Sequence, residues 1–262
     1  MITVSFTLLA EGAVCLILPI IALLVWHGKT KARVSPFFVG ALMFFVFALV
    51  LEQLLHSVVL GGGSALSRTI NGNLFYKAVY GGLAAGVFEE TGRLVGFRTL
   101  LKKQTGRSTA ITYGIGHGGF ECMMVGGVNG IAYGLVASGV LGASVLGAAA
   151  DTVSAAIAAT APMTPLWGIM ERVSAMLLHL GLSVFVFTAA SHKGKRWLFP
   201  AAILIHAAVD AGFVIAAGYI SSTAAIEALV FVCGAAVLLA GLKIYYKLPK
   251  DVSFADGETV VE

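Results

Sequence analysis

Several ionisable residues stand inside stretches of this chain that are otherwise apolar. They are Glu89, Glu90, Arg93, His117, Glu121, Arg172, His179, His206 and Asp210. A charged side chain in the hydrocarbon of a bilayer costs about 3 kcal/mol even on lenient insertion scales, and such residues usually mark functional sites. The adjacent carboxylates Glu89 and Glu90 are the most costly feature, so they are the first candidates for chemistry.

Three pairs of these residues are four positions apart: Glu89 with Arg93, His117 with Glu121, and His206 with Asp210. Residues at this spacing lie on one face of a helix and can contact each other. A carboxylate that hydrogen-bonds one imidazole nitrogen fixes the tautomer and makes the other nitrogen a better base or metal ligand. The spacing therefore predicts oriented acid–base or ligand pairs.

The composition excludes an ordinary soluble domain. The chain has 262 residues, of which 58% are hydrophobic and only 11% charged, and its mean hydropathy is +0.94. Soluble domains carry about 25% charged residues. Only helices and closed barrels cross a bilayer, and long unbroken apolar runs indicate helices. We predict an all-α polytopic membrane bundle, a multi-pass protein of the cell membrane, here the bacterial plasma membrane.

About seven transmembrane helices are predicted in a single integral-membrane domain, residues 1–262, whose motif-bearing core is about 74–219. The predicted spans cover residues 3–26, 36–60, 74–97, 109–141, 166–190, 197–219 and 224–246. A span needs about 20 apolar residues, and the chain is long enough for this number. Residues 138–165 are rich in Gly and Ala and fit either an external loop or a short re-entrant helix.

Basic residues predict the orientation. Most of the 17 Lys and Arg residues fall in the first, third and fifth loops and in the C-terminal tail. Cytoplasmic loops carry an excess of Lys and Arg, so the N-terminus is predicted outside and the C-terminus in the cytoplasm. The same bias explains the net charge of +4 without a nucleic-acid partner. With this topology, four helices bring their ionisable residues to one level, in the middle and cytoplasmic half of the bilayer.

Structural explanations compete with function at each position. One glutamate could pair with Arg93 to lock two helices together, but the second carboxylate would then lack a counter-charge. Glu171 with Arg172 and Glu52 with His56 are interpreted as structural or accessory pairs. A proton-coupled transporter or carrier is an alternative, although the inverted repeats typical of carriers are not visible. A non-catalytic membrane immunity or scaffold protein is a third alternative.

Four motifs occur in a recognisable order. They are Phe88-Glu89-Glu90-Thr91-Gly92-Arg93, then Gly114-Ile115-Gly116-His117-Gly118-Gly119-Phe120-Glu121, then Glu171-Arg172 through His179, and then His206-Ala207-Ala208-Val209-Asp210. This order resembles the YhfC-like intramembrane metalloproteases. That family is part of a wider superfamily with the CAAX-prenyl endopeptidases and bacteriocin-processing enzymes, to which the PrsW proteases are related. The matching region spans the third to sixth helices, about half of the chain.

The resemblance implies a protease site within a helical bundle. The paired glutamates would supply the carboxylate that activates water, Glu89 or Glu90, with His117 and His206 as its main partners. Two features depart from the pattern of the CAAX-type enzymes. The middle motif supplies both His117 and Glu121 where the superfamily has a single residue, and the last motif differs at its final position. The CAAX-type enzymes typically have Asn at the position of Asp210, and an ionised Asp cannot donate a hydrogen bond to an oxyanion.

Our working hypothesis from the sequence is a zinc peptidase that hydrolyses a peptide bond of a membrane protein or lipidated peptide substrate. Its site residues are grouped by role: metal ligands His117, His179 and His206, base Glu90, Glu89 held by Arg93, and orienting carboxylates Glu121 and Asp210. Histidine ligands with an open position for water are typical of catalytic Zn²⁺. A metal-free version, with one Glu as base and His206 as an electrophilic donor, is the alternative.

Overall fold

The computed structural model describes residues 3–104 and 106–250, and this part of the chain contains helices but no strands. Its helices are α1 (Val4–Thr30), α2 (Ser35–Val59), α3 (Ala65–Asn71), α4 (Leu74–Arg98), α5 (Ser108–Ala137), α6 (Ala143–Ala159), α7 (Thr164–Ser191), α8 (Leu198–Tyr219) and α9 (Thr223–Tyr245). The predicted all-α architecture is confirmed.

Within the described residues, six helices are long and apolar enough to cross a membrane: α1, α2, α5, α7, α8 and α9. Helix α4 has 25 residues and is therefore about 37 Å long, which also suffices to span a bilayer. It carries more charged residues than any of these six helices, among them Glu89, Glu90 and Arg93. The prediction of about seven membrane helices is thus confirmed, and the least apolar of the seven carries the glutamate pair.

Three basic segments meet at one end of the bundle, which we call the basic end: residues 30–35, residues 99–104 with 106–109, and residues 245–250. Gln104 Nε2 donates to Ser35 Oγ at 2.7 Å. Arg107 Nη1 donates to the carbonyls of Tyr245 at 3.2 Å and Leu248 at 3.0 Å. The first loop, the third loop and the C-terminal segment therefore lie on one side, as the alternation of basic loops predicts. That this side is cytoplasmic stays a prediction.

The segment between α5 and α7, for which the sequence allowed a loop or a short re-entrant helix, contains the short apolar helix α6. This helix is kinked at Gly147, where φ is 57°. Its residues are exposed or only partly buried. Helix α6 therefore lies outside the core that positions the polar residues.

Helix α5 runs through the centre of the bundle, where its many glycines permit close packing. All residues from Thr109 to Gly119 are buried, His117 among them. Gly116 lies so close to α2 that a Cβ atom there would collide with the carbonyl oxygen of Phe37. Small residues allow this close approach of membrane helices. His117 is thereby held deep in the bundle.

Two helices change to π-helical hydrogen bonding next to candidate site residues. In α2 the π segment is Phe45–Glu52, and in α5 it is Cys122–Val128, immediately after Glu121. π-Helical turns are rare and are frequent at functional sites. Four-residue spacing cannot be extended across these segments, although Glu52, at the end of the first one, still pairs with His56.

The contact between α4 and α8 places Glu89 and Glu90 beside His206, and it yields a stability prediction. At Gly82 a Cβ atom would collide with the Ala207 carbonyl oxygen, whereas at Gly81 it would meet nothing within 4 Å. We expect Gly82→Ala to destabilise the protein by about 1–3 kcal/mol through overpacking. Gly81→Ala is the matched control and is expected to be neutral or slightly stabilising. Thermal unfolding in detergent micelles checks this, and equal midpoints for the two variants would contradict the close contact.

Candidate active site

The two adjacent glutamates of α4 have different environments. Glu90 and Arg93 are both 0% exposed, and Glu89 is 7% exposed. Of the two carboxylates, Glu89 lines a cavity at the site, while Glu90 is enclosed by protein. The pair therefore divides into one carboxylate that faces a cavity and one that faces the bundle.

Arg93 clamps Glu90. Its Nε donates to Glu90 Oε2 at 2.9 Å and its Nη2 to Glu90 Oε1 at 3.2 Å. Its Nη1 donates across to α7, to Ser183 Oγ at 2.5 Å and to the His179 carbonyl at 3.2 Å. The hypothesis that Arg93 holds Glu89 is therefore wrong. Positions three and four residues apart share a helix face, so spacing alone does not choose between the two glutamates.

His117 contacts the other glutamate. Its Nε2 is 2.9 Å from Glu89 Oε2, and its Nδ1 has no hydrogen-bond partner in the part of the chain that the structure describes. The expected pair of His117 with Glu121 does not form, because each residue finds a partner on another helix. Glu121 accepts from Arg172 Nη1 at 2.7 Å and contacts His179 Nε2 at 2.5 Å.

The tautomer of His179 follows from its partners. Arg93 Nη2 lies 3.0 Å from His179 Nδ1, and a guanidinium can only donate, so Nδ1 accepts. The proton of the neutral ring is then on Nε2, which donates to Glu121 Oε2 at 2.5 Å. Two charged groups thus fix the orientation of this imidazole.

His206 is fixed by Glu90. Its Nδ1 lies 2.8 Å from Glu90 Oε1, and the ionised, Arg93-bound carboxylate requires Nδ1 to donate. Its Nε2 faces the cavity, 3.4 Å from Asp210 Oδ2 and 4.0 Å from Glu89 Oε1. The predicted contact of His206 with Asp210 is confirmed. A carboxylate behind an imidazole is the arrangement that orients histidine ligands in metal sites.

Three buried residues can offer a ligand set for a metal ion: Glu89, His179 and His206. One ligand atom from each lies within 4.8 Å of the others. This set differs from the predicted three histidines, since Glu89 is in the group and the Nε2 atom of His117 contacts Glu89 instead. Carboxylate oxygens and imidazole nitrogens are ordinary zinc ligands, so the donor chemistry fits a metal.

The site opens into a cavity of about 350 Å³. The site residues among its lining are Glu89, Glu121, His179, His206 and Asp210. Ionisable side chains from four helices therefore meet at one cavity, as their shared depth in the sequence prediction indicates.

Glu52 and His56 also line this cavity. Glu52 Oε1 is 3.2 Å from His56 Nε2, and His56 Nδ1 is 3.0 Å from Tyr80 Oη. The sequence interpretation paired Glu52 with His56 correctly and missed Tyr80. No signal in the sequence identifies Tyr80, because it belongs to another helix and its hydroxyl makes the contact only after the helices pack.

One family profile and one relative match most of this chain. The profile of a family described as "YhfC intramembrane metalloprotease" matches residues 14–232. The chain is also 33% identical over 246 residues to a protein of Bacillus subtilis (strain 168) with the name "Uncharacterized membrane protein YhfC". That match covers 90% of this chain and 92% of the relative. No solved structure matches the chain significantly.

Proposed function

The chain belongs to the YhfC intramembrane metalloprotease family, and from this premise we propose that it hydrolyses a peptide bond of a membrane-associated substrate in the cavity beside Glu89. The substrate class is a membrane protein or a lipidated peptide. The protein is a multi-pass membrane protein, and we place it in the bacterial plasma membrane.

One observation carries the proposal: a carboxylate buried in the bundle faces a cavity, and histidines from three other helices surround it. Glu89 lines the cavity and contacts His117, while His179 Nδ1 and His206 Nε2 each lie 4.0 Å from one of its oxygens. A buried carboxylate without a guanidinium partner is suited to accept a proton. We therefore assign water activation to Glu89, in place of the Glu90 of the sequence hypothesis.

The remaining residues have supporting roles. His117 holds Glu89 Oε2, which leaves Oε1 for a water molecule in the cavity. Glu89 takes a proton from this water as the oxygen attacks the carbonyl carbon, and returns it to the leaving amine nitrogen when the C–N bond breaks. Glu90, oriented by Arg93, fixes His206 so that Nε2 points at the reacting atoms. Glu121 orients His179 through Nε2, and Asp210 lies beside His206 Nε2 at the cavity.

The residues also fit a metal ion, and in the metal-bound version of the proposal Zn²⁺ is held by Glu89, His179 and His206. Glu89 would then serve as a ligand, and its role as a free base belongs to the metal-free version. When bound, a zinc ion would polarise the substrate carbonyl and lower the pKa of a coordinated water. Ligation by His179 Nδ1 would replace its hydrogen bond from Arg93, since one lone pair cannot serve both. Ligation by His206 Nε2 would replace no hydrogen bond from a guanidinium.

Metal content tests the zinc assignment. Purified protein is expected to contain one zinc per chain, and His206→Ala is expected to lose it because the variant lacks the Nε2 ligand. His27→Ala is the control, since His27 lies at the basic end with Nδ1 on the Ala32 carbonyl. Mass spectrometry of the metal content measures both. Wild-type protein without metal, or with as much metal as His206→Ala, would refute the zinc site and favour the metal-free version.

A further inference from the structure

A second cavity lies at the end of the bundle opposite the basic end, between α1, α7 and α9. Its volume is about 240 Å³, and we call it the acidic cavity because Glu11, Glu171 and Glu227 line it. Each of these carboxylates comes from a different helix. The hydrolytic mechanism uses none of them.

Glu227 is the buried carboxylate of the acidic cavity. It is only 4% exposed, and its Oε2 is buried without a hydrogen-bond partner among the described residues. A buried polar atom that lacks a partner costs about 1–3 kcal/mol, and more when it is charged. Such a group in a cavity indicates a binding partner that satisfies it.

The neighbouring charges do not satisfy these carboxylates. Arg172 is close, but its Nη1 is bound to Glu121 and its Nη2 to Glu171. In residues 3–104 and 106–250, no side chain or backbone N–H donates a hydrogen bond to the carboxylate of Glu11 or of Glu227. The cavity therefore holds two carboxylates without a bonded counter-charge.

The spacing of the carboxylates and a neighbouring indole ring favour an organic cation over a metal ion. Within the described residues, the carboxylates of the acidic cavity do not form a group close enough to share one small ion, whereas Glu89, His179 and His206 do. Trp167 also lines the cavity and is 37% exposed. An indole face attracts guanidinium and ammonium groups, most strongly where water is excluded.

We propose that the acidic cavity binds the guanidinium or ammonium group of an Arg or Lys side chain of the substrate. This inference rests on the proposed peptidase function. Glu11 and Glu227 accept hydrogen bonds from the cation, and Trp167 contacts it through its ring. The approach of Gly168 to Glu11 keeps this space available, because a Cβ atom at position 168 would collide with Glu11 Oε1.

The position of the acidic cavity sets a distance to the scissile bond. Glu171 lines both cavities, so the two are neighbours. Glu171 and His179 belong to the same helix, and their separation of eight residues corresponds to about 12 Å along its axis. An extended peptide advances about 3.3 Å per residue. The basic side chain is therefore expected about four residues from the cleaved bond.

Binding of a matched pair of peptides tests the proposal. The probes are a short apolar peptide with one Arg and the same peptide with citrulline, which has a similar shape but no charge. Wild-type protein in nanodiscs is expected to bind the Arg peptide about tenfold more tightly, with a change in Trp167 fluorescence. The preference is expected to disappear in Glu227→Gln and in Glu11→Gln, and to persist in the exposed control Asp151→Asn. Equal dissociation constants for the two peptides in wild type, or a preference that survives in both Gln variants, would overturn the proposal.

The binding experiment does not require cleavage, so the two proposals fail separately. Glu89→Gln is expected to keep the Arg preference, because Glu89 lies outside the acidic cavity. An Arg preference without hydrolysis by wild type supports the cation site and contradicts the peptidase. Hydrolysis without any Arg preference contradicts the cation site alone.

Discussion

Glu89→Gln is expected to lower the rate of substrate hydrolysis by about 10²–10⁴-fold, the usual contribution of a positioned general base. The amide has nearly the same shape as the carboxylate, and its oxygen can still accept a hydrogen bond from His117. What is lost is the ability to take a proton from water. The folded structure and its thermal stability are expected to change little, because Glu89 makes no bond to Arg93.

Initial rates with wild-type and variant protein in proteoliposomes measure this effect. Asp151→Asn is the matched control, an exposed acid-to-amide change in α6 that is expected to keep the full rate. Hydrolysis by Glu89→Gln at the wild-type rate would exclude Glu89 as the base. A loss of rate accompanied by a large fall in thermal stability would point to a structural role for Glu89.

Arg93→Met is expected to destabilise the protein by about 3–5 kcal/mol, the usual result of removing one partner from a buried ion pair. The guanidinium is fully buried and contacts Glu90, His179 and Ser183. Its removal leaves the Glu90 carboxylate without a counter-charge and unlinks α4 from α7. Activity is expected to fall as well, because Glu90 and His179 lose their orientation.

Unfolding in detergent micelles measures the stability change. Lys77→Met is the matched control, an exposed cation of the same helix that is expected to change stability by less than about 0.5 kcal/mol. In the double variant Glu90→Gln with Arg93→Met, part of the lost stability is expected to return, because the uncompensated charge is gone. Equal stability of wild type and Arg93→Met would contradict the clamp.

The helices and the location of the site could be predicted from the sequence. The lengths of the apolar runs predicted the bounds of seven long helices to within a few residues, because each helix must cross about 30 Å of hydrocarbon. The glutamate pair, His179 and His206 could also be predicted as site residues, because ionisable residues in hydrocarbon need partners. The structure brings Glu89, His179 and His206 to one cavity and places Glu90 behind His206.

The pairing of the site residues could not be predicted. Which glutamate meets Arg93 depends on the rotation of α4 about its axis, and adjacent residues on a helix differ by about 100° in direction. His117 and Glu121 have compatible spacing, yet each has a stronger partner on another helix, Glu89 for His117 and His179 for Glu121. Spacing along one helix describes possible contacts, whereas packing between helices selects among them.

The clamp explains why two carboxylates are present. Glu90 is neutralised by Arg93 and holds His206, so it acts as a structural anion. Glu89 lacks a cationic clamp and faces the cavity. In the proposed mechanism, these different environments let one pair of residues supply both an orienting group and a base.

Oxygen-isotope labelling tests the central claim most directly. Wild-type protein is reconstituted with membrane proteins from cells that lack it, in H₂¹⁸O, and new peptide ends are identified by mass spectrometry. Hydrolysis by activated water predicts new carboxyl termini that carry one ¹⁸O atom with wild type and are absent with Glu89→Gln. If wild type releases no labelled termini, or if Glu89→Gln releases the same ones, then the cavity beside Glu89 is not a hydrolytic site.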